Sequence, residues 1–184
     1  MRVGVDIDNT IANLNAGLLK RFNVSLKVYP SPELPEGFFA TPEGMEALAE
    51  ADPLPGAVET LRTFSEWGHE IFYITSRPPL AISLTRNWLE TRDFPRGAIN
   101  FVPRGRKRLL AQACNIDLFF EDDPREVKGL AGVVPWVCVP AWPYNTNTRG
   151  PGIYRFSSWQ ALFHDLAADA FGRFYITGKE GRYA

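Results

Sequence analysis

The chain has 184 residues, 45% hydrophobic and 22% charged, which is the composition of a globular protein with room for one domain and a small insertion. Its 20 Lys and Arg against 21 Asp and Glu give a net charge of -1, which argues against a long nucleic-acid footprint. The two cysteines, Cys114 and Cys138, do not suggest a disulfide framework. With no signal-peptide core after Met1 and no apolar run of membrane length, we expect a cytoplasmic protein without nucleic-acid or membrane partners.

Apolar periodicity predicts strands that alternate with helices along the chain. The predicted strands cover residues 3–7, 69–75, 98–102, 117–120 and 136–139. The predicted helices cover residues 12–22, 55–67, 78–90, 104–114, 124–130 and 157–170. This alternation predicts an α/β fold with a three-layer, Rossmann-like parallel sheet. We also expect the first strand to be central in that sheet. The Gly-rich tail 171–184 is not assigned.

One stretch breaks the alternation. Residues 28–53 (VYPSPELPEGFFATPEGMEALAEADP) are rich in Pro, Glu and Gly and too long for an ordinary connection, which favours a functional insertion. Phe38 and Phe39 are adjacent, so at most one of them faces a core as part of a strand. The other could cover a ligand.

Four predicted strands end in reactive side chains. The first ends in Asp6-Ile7-Asp8-Asn9-Thr10, the second in Thr75-Ser76-Arg77, and the fourth in Glu121-Asp122-Asp123. The third is followed by Arg104, Arg106 and Lys107. Each group alone is ordinary for a loop, but parallel strands carry their ligands at the carboxyl edge of the sheet. The four groups together therefore predict a site at that edge.

Asp6 and Asp8 repel each other unless a cation or a proton lies between them. Several converging carboxylates call for a hard cation with oxygen ligands, most simply Mg²⁺. One aspartate can then attack phosphorus and form an aspartyl-phosphate, while the second carboxylate moves protons. A hydroxyl and a lysine would hold the phosphoryl oxygens. This chemistry needs no histidine, and we interpret His69 and His164 as structural.

The ordered motifs DIDNT, TSR, Lys107 and LFFEDDP resemble those of the haloacid dehalogenase-like (HAD) phosphohydrolases. The resemblance implies that Asp6 is the nucleophile, Asp8 the acid and base, Thr75 a phosphate ligand, and Lys107 a support for phosphate and nucleophile. Haloacid dehalogenases lack the second aspartate, so Asp8 favours a phosphatase.

The resemblance also implies Mg²⁺ held by Asp6, by the Asp8 main-chain carbonyl and by Asp122. Glu121 would lie behind the direct ligands and support them, or it would contact the ion through a water molecule. If FFEDDP aligns with the family's acidic motif one residue further along, Asp123 rather than Asp122 would be the direct ligand.

In this family, an insertion after the first motif forms a small helical cap that selects the substrate. The resemblance places the cap at residues 15–52 and the core at 1–14 and 53–170. TSR, the compact cap and PYN followed by FSSW resemble the 5'(3')-deoxyribonucleotidases. That likeness implies substrate binding by Ser76, Arg77 and Asn145, with Tyr144 beside them.

The sequence departs from this pattern at Asn9, Asn13 and Glu121, where Gly, Asp and Asp are commoner. The phosphatase interpretation stands, and the nucleotide specificity stays open.

We therefore predict a Mg²⁺-dependent phosphomonoester hydrolase whose partner is a small phosphate ester, a nucleoside monophosphate in the first interpretation and a sugar phosphate in the second. A nucleobase could stack on Phe38, Phe39 or Trp142. Three alternative interpretations stay open. A phosphonate hydrolase would form a Schiff base with its substrate through Lys20 or Lys27. A signalling receiver domain or a non-catalytic binding protein would not turn over a phosphate ester. A homodimer is left open.

Overall fold

The computed structural model describes residues 1–167. Six strands form a single parallel sheet, in the order β3-β2-β1-β4-β5-β6. The strands are β1 (Arg2–Val5), β2 (Glu70–Thr75), β3 (Ala98–Phe101), β4 (Leu118–Phe120), β5 (Trp136–Pro140) and β6 (Ile153–Phe156). The interior position of β1 and the parallel α/β architecture are confirmed.

Seven α-helices accompany these strands within residues 1–167. They are α1 (Leu14–Arg21), α2 (Pro42–Glu50), α3 (Ala57–Glu66), α4 (Ile82–Thr91), α5 (Lys107–Ala113), α6 (Pro124–Leu130) and α7 (Trp159–Ala167). Short 3₁₀ turns occur at Phe38–Ala40, Pro79–Ala81 and Pro143–Asn145. None of the helices in this part of the chain is both long and apolar enough to cross a bilayer.

Two elements of the structure were not predicted from the sequence, α2 and β6. Strand β6 has only four residues and follows Gly150-Pro151-Gly152, so its apolar pattern is too short to separate from a loop. Helix α5 begins at Lys107 rather than Arg104, because residues 103–106 form a turn. The predicted end of the last helix at residue 170 and the tail 171–184 lie outside the described residues.

The sheet is buried on both faces, which explains its apolar strands. One face packs on α3, α4 and α7 through side chains that include Leu61, Phe64, Trp88, Trp159 and Leu162. The opposite face packs on α5 and α6 through a smaller set that includes Ala111, Ile116, Phe119, Val127 and Leu130.

The two ends of the insertion lie side by side, just beyond the carboxyl end of β1. The Asn13 amide donates to the Asp52 carbonyl at 2.7 Å, and the Leu54 amide donates to the Ile11 carbonyl at 2.7 Å. Between these points, α1, the turn at Phe38–Ala40 and α2 share a small apolar core of Leu14, Leu18, Phe38, Ala47 and Leu48, completed by Ala81. The insertion is thus a compact unit above the carboxyl edge of β1.

Gly4 offers a test of how closely the central strands pack. A Cβ atom at Gly4 would lie 2.5 Å from Cδ2 of Phe119, on the neighbouring β4, so alanine forces that buried ring to move. We expect Gly4→Ala to lower the free energy of unfolding by about 1–3 kcal/mol, measured by urea denaturation.

Gly17→Ala is the matched control, because nothing lies within 4 Å of its added methyl group and alanine favours the helix α1. It should leave stability unchanged or raise it by up to about 1 kcal/mol. Equal stability of Gly4→Ala and the unmodified protein would contradict the packing described for β1 and β4.

Candidate active site

The turn after β1 presents two aspartates at the carboxyl edge of the sheet. Asp6 still belongs to the ladder, because its amide donates to the Phe120 carbonyl at 2.9 Å. The chain then turns back at Asn9, whose φ is 59°, a left-handed conformation that Asn adopts more readily than most residues. The Asn9 Oδ1 atom accepts from the Asn15 amide at 2.8 Å, which ties the turn to the start of the insertion.

Lys107, the first residue of α5, lies between two buried carboxylates. Its Nζ donates to Asp6 Oδ1 at 2.5 Å and to Glu121 Oε2 at 2.7 Å. Burial alone would lower the pKa of Lys107, but Asp6 and Glu121 raise it above its ordinary value. The lysine therefore stays charged and holds the two carboxylates in place.

Asp122 is wholly buried beside this pair, and both of its oxygens accept hydrogen bonds. Thr10 Oγ1 donates to Asp122 Oδ1 at 3.0 Å, and the Tyr144 hydroxyl donates to Oδ2 at 2.6 Å. The Asn145 amide group donates to the Asp122 carbonyl at 3.0 Å. The loop at residues 143–145 thus fixes the orientation of the Asp122 carboxylate.

The Asp6, Glu121 and Asp122 side chains each offer an oxygen within 4.8 Å of the others. Burial raises the pKa of all three, and the Asp6 charge raises those of Glu121 and Asp122 further. One lysine does not balance three carboxylates in so small a volume. The oxygen donor set and its excess negative charge fit a hard divalent cation.

Asp123 takes a different direction from Asp122. It forms an ion pair with Arg104, at 2.5 Å and 3.0 Å, and caps α6 by accepting from the Arg125 amide at 2.9 Å. The carboxylate that joins Asp6 and Glu121 is therefore that of Asp122.

Asp8 faces Arg77 across the site. The Arg77 Nε and Nη2 atoms donate to the two Asp8 oxygens at 2.7–3.1 Å. The Arg77 side chain is itself fixed, because Nη1 donates to Thr85 Oγ1 at 3.2 Å and the guanidinium carbon lies 5.7 Å from the centre of the Trp88 ring. Arg77 thus holds the Asp8 carboxylate in one orientation.

A cavity of about 700 Å³ opens above these groups, between the sheet edge and the insertion. Tyr29 of the insertion packs against Tyr144 of the core, with ring centres 4.9 Å apart. The Arg104 guanidinium carbon lies 5.5 Å from the centre of the Tyr29 ring. These contacts close one side of the cavity.

The structure brings the sequence-predicted residues together at two depths. Those that line the cavity are Asp6, Asp8, Ser76, Arg77 and Lys107. Thr75, Asp122 and Asn145 are buried immediately behind the lining. Thr75 Oγ1 accepts from the Arg77 amide at 3.2 Å. The Asn145 side chain bonds to backbone groups of Asp122, Pro140 and Trp142, and its Oδ1 atom also accepts from the Arg155 guanidinium at 3.2 Å.

Sequence reasoning missed the Thr10 and Tyr29 contributions. Thr10 is in the DIDNT motif, four residues after Asp6, where a hydroxyl on the turn was a usable signal. Tyr29 carried no such signal, because its place in the site depends on how the insertion folds over the core.

The chain is similar in sequence to several known proteins. A family model described as "PITM 1-3, LNS2 domain" matches residues 37–116. A Bacillus cereus protein called "Putative nucleotidase" is 30% identical, in an alignment that covers 88% of this chain and 96% of that protein.

Two solved structures share the fold. A HAD-superfamily hydrolase from Ehrlichia chaffeensis aligns with a TM-score of 0.52 and 15% identity over 91% of this chain and 96% of that one. The D,D-heptose 1,7-bisphosphate phosphatase of B. bronchiseptica, solved with magnesium and phosphate, aligns with a TM-score of 0.57 and 13% identity over 91% and 98%. At such low identity these two support the fold alone. The Bacillus cereus relative shows that the chain belongs to the same family as that "Putative nucleotidase", and the two structures show that its fold is the haloacid dehalogenase-like fold.

Proposed function

We propose that the protein is a Mg²⁺-dependent phosphomonoester hydrolase that works through an aspartyl-phosphate, with nucleoside monophosphates as its substrates. The observation that carries this proposal is the buried cluster of Asp6, Glu121, Asp122 and Lys107 at the cavity floor, with Asp8 two residues beyond Asp6. A carboxylate nucleophile, a second carboxylate for proton transfer and a site for a cation then lie within one edge of the sheet.

Asp6 is the nucleophile. One of its oxygens attacks phosphorus, the new O–P bond forms, and the bond from phosphorus to the leaving oxygen breaks. Asp8 gives the leaving oxygen a proton. Asp8 then takes a proton from water as that water attacks phosphorus, the Asp6–phosphorus bond breaks, and inorganic phosphate is released.

Lys107 has two functions in this scheme. Its contact with Asp6 Oδ1 orients the nucleophile, and its charge stabilises the negative charge that builds on the phosphoryl oxygens. Ser76, which lines the cavity, donates to the same oxygens. Thr75 is buried behind Ser76, and its hydrogen bond with the Arg77 amide supports the loop that carries Ser76.

Asp6, Asp122 and the main-chain carbonyl of Asp8 would hold the Mg²⁺ ion. When bound, the ion offsets the repulsion among the carboxylates and polarises the phosphoryl group. Thr10 and Tyr144 orient the Asp122 ligand, and Glu121 fixes Lys107 between itself and Asp6.

Arg77 and Asn145 act through other residues in this scheme. Arg77 orients Asp8, and Asn145 holds the backbone of the Asp122 segment. We further propose that residues 15–52 are the cap, because the insertion roofs the cavity. The nucleotide substrate is supported by the name of the Bacillus cereus relative, and a sugar phosphate is the second candidate.

Asp6→Asn tests the nucleophile. Because an amide cannot form the acyl phosphate, we expect phosphate release from nucleoside monophosphates to fall by several orders of magnitude. Asp93→Asn is the control, since its exposed carboxylate lies outside the cavity, and it should retain full activity. Near-normal turnover by Asp6→Asn would remove Asp6 from its proposed role.

Asp8→Asn tests proton transfer. Its loss should be large for alkyl phosphates, whose leaving oxygen needs a proton, and much smaller for the first step of p-nitrophenyl phosphate, whose leaving group does not. Burst-phase release of nitrophenol separates that first step from the slower hydrolysis of the intermediate. An equal loss of the first step for both kinds of ester would contradict acid catalysis by Asp8.

Tyr144→Phe tests the cation site through an outer partner of Asp122. Removing the hydroxyl at 2.6 Å should weaken Mg²⁺ binding about 10–100-fold, measured by titration calorimetry on metal-depleted protein. Thr146→Val, on the same loop but bonded only to the Pro143 carbonyl among the contacts described for it, is the control. Unchanged Mg²⁺ affinity in Tyr144→Phe would argue against Asp122 as a ligand.

A further inference from the structure

The roof of the cavity is mostly apolar. Its lining from the insertion includes Leu18, Leu26, Leu34, Phe38 and Phe39, with several prolines between them. The polar side chains of this roof are few and small, apart from Tyr29 and Glu36. Among the described residues, the insertion contributes no Lys, Arg or His to the lining.

The cavity floor has three cationic side chains, and each is already paired. Lys107 contacts Asp6 and Glu121, as described above. Arg77 contacts Asp8 at 2.7 Å, and Arg104 contacts Asp123 at 2.5 Å. No cation in the described lining is therefore left for a second anionic group of the substrate.

Two further acids increase the negative charge. Glu36 lines the roof, and Glu126 lines the floor, where it accepts a hydrogen bond from the Gly105 amide. The Mg²⁺ ion of the proposed function and the Lys107 ammonium would together offset the charge of one phosphoryl group only. A carboxylate or second phosphate on the leaving group would lose its water and meet acids or hydrocarbon.

From this arrangement we infer that the site selects phosphomonoesters whose leaving group is uncharged and presents an apolar or aromatic face to the roof. The inference rests on the proposed function and narrows its substrate class. It includes nucleosides and simple aryl or alkyl alcohols as leaving groups. It excludes bisphosphates, phosphorylated hydroxy acids and, by the lack of polar partners in the roof, polyol phosphates.

A pair of isosteric esters tests the charge rule on the unmodified enzyme. 4-Carbamoylbenzyl phosphate and 4-carboxybenzyl phosphate have the same shape and differ in the charge of the leaving alcohol. We expect kcat/KM, measured as phosphate release with Mg²⁺, to be at least about tenfold lower for the carboxylate. Equal values would overturn the inference.

A second pair tests the apolar preference. Cyclohexylmethyl phosphate and glucose 6-phosphate share a six-membered ring on a methylene, and only the second has hydroxyl groups on that ring. We expect the higher kcat/KM for cyclohexylmethyl phosphate, because the roof offers hydrocarbon rather than hydrogen-bond partners. An equal or higher value for glucose 6-phosphate would overturn this part of the inference and favour a sugar phosphatase.

A substitution in the roof tests the electrostatic cause. Leu26→Lys adds a cation to the lining, and Leu26→Met is its uncharged control of similar size. The ratio of kcat/KM for the carboxylate to that for the carboxamide should rise severalfold in Leu26→Lys and stay unchanged in Leu26→Met. An unchanged ratio in a folded, active Leu26→Lys would assign the discrimination to something other than charge.

p-Nitrophenyl phosphate separates this inference from the proposed function. If the enzyme turns over that ester and hydrolyses the two isosteric esters at equal rates, the phosphatase proposal stands and the inferred selectivity is wrong. Failure to release phosphate from every ester would overturn the phosphatase proposal itself, and the inference with it.

Discussion

The crowding of buried carboxylates around one lysine is the constraint on which the rest of the site depends. Asp6, Glu121 and Asp122 lie within 4.8 Å of one another, and Lys107 supplies one positive charge. Two like charges 4 Å apart repel by about 4 kcal/mol at an effective dielectric constant of about 20. Folding the chain therefore concentrates an electrostatic cost at this point. The divalent cation of the proposed function would offset that cost while leaving Asp6 ionised.

The sheet register explains how distant residues reach that point. Val5 of β1 lies opposite Phe120 of β4, so the next residues, Asp6 and Glu121, leave the sheet side by side. β2 flanks β1 on its other side, which brings Arg77 to Asp8. The carboxyl edge is also where α5 starts, with Lys107 as its first residue. Parallel pairing thus gathers residues from four distant segments of the chain into one site, without any contribution from the insertion.

Those regularities are why the core was predictable from sequence and the insertion was not. Strand periodicity led to the polar groups at the strand ends, and the family resemblance singled out Asp6, Asp8, Lys107 and Asp122 within them. The structure gathers these four residues together. The pairing of Arg77 with Asp8 and the inward turn of Asn145 depend on side-chain directions that no local pattern encodes. Tyr29 and α2 were missed because the insertion has a weak period and its fold is set by contacts with the core, such as that between Tyr29 and Tyr144.

Two of the three departures from the family pattern, Asn9 and Glu121, can be explained by the same geometry. Asn9 replaces a common glycine at a φ of 59°, a conformation that its side chain tolerates, and its Oδ1 atom gains a hydrogen bond to the insertion. Glu121 replaces an aspartate, and its carboxylate accepts from both Lys107 and the Asp123 amide. Both substitutions keep the floor intact, since Asn9 adds a tether to the insertion and Glu121 keeps the contact with Lys107. Differences among relatives in substrate choice should then lie in the roof, where this chain presents hydrocarbon and no basic side chain among its described lining residues.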